Sequence, residues 1–495
     1  MADSTVHSVP RTQSYAMYNP NSIRLRRLLL PLVLMGVDYA ALIAAVWTAF
    51  FIRTNLAPKL VSWPFQAFDI PSAYMYAVIP FAFIFFIHFA RLYTRRLLFW
   101  QQAEQLFKAS IYAIVMVLVL MYITGDAGEI SRIFLVTAWV TGFLYLTISQ
   151  YLAKKVLFLA GLWQIPVVIV GAGKTAELLI NAFENDTGLG YKVAGLIEDN
   201  LDSELRAKYP VIRTFDNAEN AVKRAGVKDV MIAAPGLKRE GLLDMVYRLQ
   251  PYVDNITFVP DLFGVPVGAM ELDTLFNEKA VLLRIRNNLA NNYNRLLKRF
   301  FDLICSVVGT IVILPVLAAI AVAIYLDNPG PIVFAHTRIG KDGKTFPCYK
   351  FRSMITNAQA ALEKYLEDNP EARKEWERDF KLKDDPRITR IGAFLRKTSL
   401  DELPQLFNVI RGEMSLVGPR PIVNDEVVKY GNYIYDYYLV RPGITGMWQV
   451  SGRNDVNYDE RVQLDSWYVR NWSLWQDVVL LFRTVTVVIK GKGAY

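Results

Sequence analysis

Cysteine and histidine are nearly missing from this 495-residue chain, which carries only Cys305 and Cys348 of the first and His7, His88 and His336 of the second. Two cysteines allow one disulfide at most, which excludes a disulfide framework and fits a reducing cytosol. Three scattered histidines argue against a His-rich zinc site, and with no His or Cys suitably placed a Ser-His or Cys-His hydrolase is not expected. The run Gly173-Lys174-Thr175 invites a phosphate-loop reading, but that motif needs glycine at 168, where Val168 stands. Internal repeats and low-complexity tracts are absent. So is any basic and aromatic nucleic-acid module, although the net charge is +9. Anionic lipid heads and phosphorylated substrates suit that charge equally well, so no nucleic acid is expected as a partner.

Charge is missing from several long runs, and there the 53% hydrophobic content is concentrated. Residues 1–23 are polar and without periodicity, a disordered tail by composition. The cluster Arg24, Arg26 and Arg27 precedes Leu28–Ile52, whose one charge is Asp38. A helix of that length measures roughly 37 Å, enough to cross a hydrocarbon core of about 30 Å with tilt. Three further runs follow, at Ser72–Ala90, Ala109–Ile123 and Ile133–Leu152. Arg91, Arg95, Arg96 and Lys108 lie between the second and third runs, and Lys154 and Lys155 follow the fourth. By the positive-inside rule this gives a four-helix transmembrane bundle over 24–155 with both ends in the cytoplasm.

From Ile165 the pattern changes. Ile165–Val170 reads as a buried strand, followed by Gly171-Ala-Gly173-Lys-Thr-Ala176 and a helical stretch, a Rossmann-like first unit within an α/β domain over 160–280. Gly171 and Gly173 form a candidate nucleotide turn, and a ribose-binding acid is expected at Glu198 or Asp199. Residues 284–299 read as a polar, basic linker. Leu303–Leu326 then carries no charge and has Pro315 at its middle. A simple span there would place the charged C-terminal motifs outside the cell. The sequence therefore predicts a re-entrant membrane helix over 300–330, broken at Pro315, each half being about 17 Å and too short to cross alone.

The remaining stretch, 331–495, is dense in basic and Gly/Pro motifs. Tyr349-Lys-Phe-Arg-Ser-Met354 offers Lys350 and Arg352. Arg396-Lys-Thr-Ser-Leu-Asp-Glu-Leu-Pro404 holds adjacent carboxylates, Asp401 and Glu402. Gly418-Pro-Arg-Pro421 holds Arg420 rigidly between Pro419 and Pro421, and Arg441-Pro-Gly-Ile-Thr-Gly446 adds another cation. Leu400, Leu403, Leu406 and Val409 recur at helical spacing and Pro404 fits only a first turn, which places Asp401 and Glu402 at a helix N-terminus. Beside Arg396 and Lys397, Asp401 is expected to favour its ionised form. Basic loops that can hold a diphosphate, an acidic pair able to bind a divalent metal or supply a nucleophile, and the membrane-embedded hairpin together point to chemistry on a phosphorylated lipid.

These motifs, with Lys298-Arg-Phe-Phe-Asp302 and Thr398-Ser-Leu-Asp-Glu-Leu-Pro-Gln-Leu-Phe-Asn408, resemble the bacterial polyisoprenyl-phosphate hexose-1-phosphate transferases, the monotopic phosphoglycosyl transferases. The bundle and α/β domain upstream are similar to the family's long form, as is the ending from Asp465 to Tyr495. The resemblance implies a catalytic domain anchored by the re-entrant helix on the cytoplasmic face of the inner membrane. It implies UDP-hexose (galactose first, glucose next) and undecaprenyl phosphate as substrates, with Mg²⁺ as cofactor. Asp401 would be the nucleophile that releases UMP, and Glu402 the second acid and metal ligand. Lys350, Arg352, Arg396, Arg420 and Arg441 would hold phosphate, and the product would enter polysaccharide synthesis. A homodimer is compatible with this reading. Many members have Ser-Pro at the membrane break, where this chain has Leu314-Pro315. Two rival classes remain: a glycosyltransferase releasing UDP, and a non-catalytic assembly scaffold.

Overall fold

The computed structural model describes residues 20–60, 69–126, 130–198, 205–213, 218–260, 270–275, 280–285, 288–379, 382, 385–451 and 457–490. The chain divides into two compact units, Met1–Asp261 and Leu262–Tyr495.

In the first unit, three helices are long and apolar enough to cross a membrane: Leu28–Lys59, Phe99–Thr124 and Arg132–Leu159. The second expected run forms a shorter apolar helix, Tyr74–Phe89. The third run begins ten residues earlier than hydropathy suggests. Its first turns are polar, and Lys108 Nζ lies 2.7 Å from Glu104 Oε1 one turn back. Leu34, Leu42, Phe83, Phe134 and Leu146 share the bundle core.

Asp38, the one acidic residue of the first helix, is engaged inside that bundle through one carboxylate oxygen. Gln150 Nε2 donates to Asp38 Oδ2 at 2.6 Å, Gln102 Nε2 donates to Gln150 Oε1 at 2.6 Å, and Lys154 Nζ donates to Gln102 Oε1 at 2.6 Å. In apolar surroundings such a polar chain lowers the cost of burying these groups. The same end of the bundle holds the α/β sheet. Arg96 lies 3.7 Å over the Trp163 ring, Trp163 Nε1 donates to the Gly188 carbonyl at 3.0 Å, and Phe99 N donates to Asp186 Oδ2 at 2.8 Å.

Five parallel strands follow: β1 (Ile165–Val170), β2 (Tyr191–Ile197), β3 (Val211–Arg213), β4 (Asp229–Ile232) and β5 (Asn255–Phe258), in the order β3-β2-β1-β4-β5. The continuous apolar run of β1 fits its central place, covered on both faces. The two turn glycines differ sharply. Gly171 has φ +105°, and a Cβ there would lie 2.7 Å from the Ala233 carbonyl oxygen; a Cβ on Gly173 would meet nothing within 4 Å. Between them, Ala172 N donates to Glu198 Oε2 at 2.7 Å, so the expected ribose acid is engaged with the turn itself. Asp199 lies outside the described residues. Gly173→Ala should therefore leave the sheet and turnover unchanged. Gly171→Ala should lower the α/β domain's stability by about 1–3 kcal/mol, read as earlier proteolysis of this domain in detergent.

The second unit opens with an antiparallel hairpin, Met270–Leu275 against Ala280–Ile285. The stretch expected as a linker thus contains a strand end and the start of a helix. Asn291 Oδ1 accepts from Tyr293 N at 3.0 Å and caps the helix Asn292–Asp327. This helix continues through Pro315, which corrects the expected break. A proline removes one i→i−4 hydrogen bond, and the turns on both sides keep theirs. Both halves are fastened to the same unit. Lys298 Nζ lies 2.7 Å from Asp477 Oδ2, Asp302 Oδ2 accepts from Ser415 Oγ at 2.8 Å, and Arg299 Nη2 donates to the Ile410 carbonyl at 2.8 Å. Farther along, Leu317, Ile320 and Ile324 pack with Phe351 and Leu395.

Candidate active site

An antiparallel pair, Val333–Ile339 and Thr345–Phe351, ends by delivering Lys350, Arg352 and Ser353. The helix Arg390–Thr398 stops at Ser399, a non-glycine residue at φ 57°, and the chain then makes a tight 3₁₀ turn, Leu400–Glu402. The next helix, Gln405–Arg411, starts after Pro404, its N-cap residue. The acidic pair therefore stands one turn before that helix and not in its first turn, a correction to the sequence reading. Pro404 does mark the helix start, but the residues before it close their own Leu403 N to Leu400 O bond at 3.3 Å.

This turn faces a cleft of about 850 Å³, lined among others by Lys350, Ser353, Arg387, Arg396, Asp401, Glu402, Arg420 and Trp448. Lys350 Nζ is 2.6 Å from Glu402 Oε1 and 3.8 Å from Asp401 Oδ2. Arg396 Nε donates to Ser353 Oγ at 2.9 Å, which fixes its guanidinium beside the acids. Asp401 is 13% exposed, and this burial pushes its carboxyl above the ordinary aspartate range; Lys350 opposes the shift, Glu402 adds to it and Arg396 opposes it. The expectation that its surroundings favour the ionised form is thus corrected, since removal from water outweighs the two cations. A more basic carboxylate is also a better nucleophile once it is deprotonated.

The remaining sequence candidates divide. Arg420 reaches the cleft between its two prolines, and Pro421 lines a small recess behind Glu402 together with Arg338 and Gln405. Pro419 takes a backbone role, its carbonyl accepting from Gly443 N at 2.8 Å. Arg352 lines the cleft but is mostly buried, and its Nη2 donates to the carbonyl of Asn328 at the end of the long apolar helix. Arg441 is not among the cleft's lining residues; its Nε donates to the Gly412 carbonyl at 2.6 Å, at the end of the helix after the acidic pair. Gly171 and Gly173 belong to the other unit. Sequence reasoning missed Ser353, which lay inside a quoted motif, and Arg387, held by Asp385 at 2.6 Å two residues before it. It also missed Trp448, hidden in an apolar stretch.

Among the described residues no three His, Cys, Asp or Glu side chains gather as a metal cage. Two adjacent carboxylates at the cleft fit Mg²⁺ in the way it binds with phosphate substrates, through one or two protein oxygens, the substrate and water supplying the others.

Two family models match the chain: "Bacterial sugar transferase" over residues 293–491 and "CoA-binding domain" over residues 93–260. The chain is 40% identical over 407 residues to the undecaprenyl-phosphate galactose phosphotransferase of Salmonella typhimurium, covering 82% of this chain and 84% of that protein. It is 38% identical to the UDP-galactose-lipid carrier transferase of Erwinia amylovora, covering 82% and 84%. The UDP-glucose:undecaprenyl-phosphate glucose-1-phosphate transferase of Escherichia coli is 32% identical, with 66% and 68% covered.

Proposed function

The chain belongs to the bacterial sugar transferase family, and from that membership we propose that it moves hexose 1-phosphate from a UDP-hexose to undecaprenyl phosphate and releases UMP. The observation that carries this reading is the cleft itself, where a half-buried carboxylate pair meets Lys350, Arg396 and Arg420. Galactose is the first choice of hexose, because relatives named for galactose match across 82% of the chain. Glucose is the second.

In this mechanism an Asp401 carboxylate oxygen attacks the β-phosphorus of the donor. The bond from that phosphorus to the bridging oxygen breaks, and UMP leaves with the bridging oxygen and the electron pair. The hexose phosphate remains as an acyl phosphate on Asp401. An oxygen of undecaprenyl phosphate then attacks the same phosphorus, and Asp401 departs as a carboxylate. Lys350 and Arg420 hold the equatorial phosphate oxygens, and Arg396 is fixed by Ser353 to meet the charge that develops. Glu402, with Asp401, would hold Mg²⁺, which supplies charge neutralisation at the diphosphate. Lys350 pairs with Glu402 at 2.6 Å.

Purified protein given undecaprenyl phosphate and a panel of UDP-sugars should release UMP with one UDP-hexose. Release of UDP would indicate a glycosyltransferase instead, and release of neither a scaffold.

The long apolar helix is part of the same proposal: it bends at Pro315 without ending its helical turns, so that it enters and leaves from the cytoplasmic face. Lys298 and Asp302 near one end and Ile320 and Ile324 near the other are fastened to one soluble unit, which supports that placement. In a variant without Cys305 and Cys348, cysteines introduced by Leu296→Cys and Lys341→Cys should both be shielded from an impermeant reagent outside intact cells. Labelling of the second alone would mean a true span.

A further inference from the structure

Asp465 lies in the C-terminal motif that the mechanism leaves unused, on the helix Tyr458–Arg470, and is 2% exposed. A carboxylate so deeply buried is costly unless other groups require it. Tyr430 Oη donates to its Oδ2 at 2.9 Å, while Oδ1 makes no well-formed hydrogen bond. Its other electrostatic neighbours are the backbone N–H of Arg420 and the guanidinium groups of Arg461 and Arg420. Arg461 stands one helical turn before it and lies 3.9 Å over the Trp448 ring, with Arg420 5.7 Å from the same ring. Arg420 and Trp448 both line the cleft, whereas Asp465 and Tyr430 are not among its lining residues.

Prolines at 419 and 421 have no N–H, so the Arg420 N–H is the only backbone donor in that tripeptide. The Asp465 carboxyl, which accepts from Tyr430 at 2.9 Å and which burial pushes up to about 7, is the acidic group that faces this N–H and the Arg420 guanidinium. From this we infer that Asp465 and Tyr430 are positioning residues that set Arg420 and the Arg461–Trp448 stack for the nucleoside diphosphate of the donor. The inference rests on the transferase reading for the identity of the donor. Asp465 touches neither substrate; it acts through Arg420. An amide in place of this carboxyl lets the Arg420 guanidinium sample orientations away from the diphosphate, weakening donor binding, while the lipid phosphate, approaching after UMP has left, is met by Lys350 and Arg396.

The test compares full-length Asp465→Asn and Tyr430→Phe with the unmodified protein in detergent. Binding of UMP and of a non-reactive UDP-hexose analogue is measured by calorimetry, and KM is measured for each substrate. Asp465→Asn should weaken both nucleotides by about tenfold, with the KM for undecaprenyl phosphate within about twofold. Tyr430→Phe should change the same quantities in the same direction by less. Equal loss for lipid and nucleotide, or unchanged nucleotide binding in both variants, would overturn the inference. If Asp465→Asn fails to fold, Tyr430→Phe alone decides it by the same comparison. An unmodified protein that binds UDP-hexose yet releases no UMP would instead count against the transferase reading.

Discussion

Asp401→Asn should lower UMP release by about 10⁴-fold or more, because in the proposed mechanism it removes the attacking oxygen and not an accessory group. The same substitution should leave the thermal midpoint at neutral pH equal or higher. Burial holds the Asp401 carboxyl above its usual range, so the folded protein binds that proton more tightly than the unfolded chain does. Its charged form then costs stability at pH above the unfolded value, and asparagine removes the cost. The advantage should shrink as pH falls below the ordinary aspartate range, where both states are protonated. Lys350 keeps its partner in the variant, since it is 2.6 Å from Glu402. Activity lost while stability is kept separates a chemical role from a structural one, by paired UMP assays and melting curves across pH.

Lys350→Met should have the next largest effect, a fall of about 10²–10³ in turnover. It leaves two adjacent carboxylates without their closest cation. Among the charges around Asp401, Lys350 is the foremost that lowers its pKa, with Glu402 pulling the other way. Removing the ammonium therefore raises the Asp401 pKa further, and the acidic limb of the pH–rate profile should move to higher pH. Raising the pH should then recover part of the loss, which does not follow if Lys350 serves only to bind phosphate. Rate profiles of the unmodified protein and of Lys350→Met under single-turnover conditions distinguish the two.

The acidic pair and its cations were legible because they lie in short runs, each with Gly, Pro or alternating apolar punctuation. What those groups touch was not. Asp401 reads as an ionised residue beside Arg396 and Lys397, and only the fold reveals that burial dominates its proton affinity. Arg352 and Arg441 look like Arg420 in sequence, yet one bonds the end of the long apolar helix and the other the Gly412 carbonyl. Chains of polar residues are similarly hidden, since Asp38 meets Gln150 across 112 positions of sequence. Hydropathy located the bundle's runs, but it shortened the Phe99–Thr124 helix because that helix begins with polar turns. Pro315 was read as a break because a lone proline carries no information about how its neighbours satisfy the helix around it.

The central claim is the covalent step at Asp401, and its most direct measurement is intact-protein mass after mixing with UDP-hexose and Mg²⁺ in the absence of lipid. The account predicts a gain of one hexose phosphate, at most one UMP released per site, and neither in Asp401→Asn. Undecaprenyl phosphate added afterwards should return the protein to its starting mass as the lipid-linked sugar appears. Lipid-linked sugar formed by the Asp401→Asn protein at an undiminished rate would contradict it, leaving direct attack by the lipid phosphate as the route.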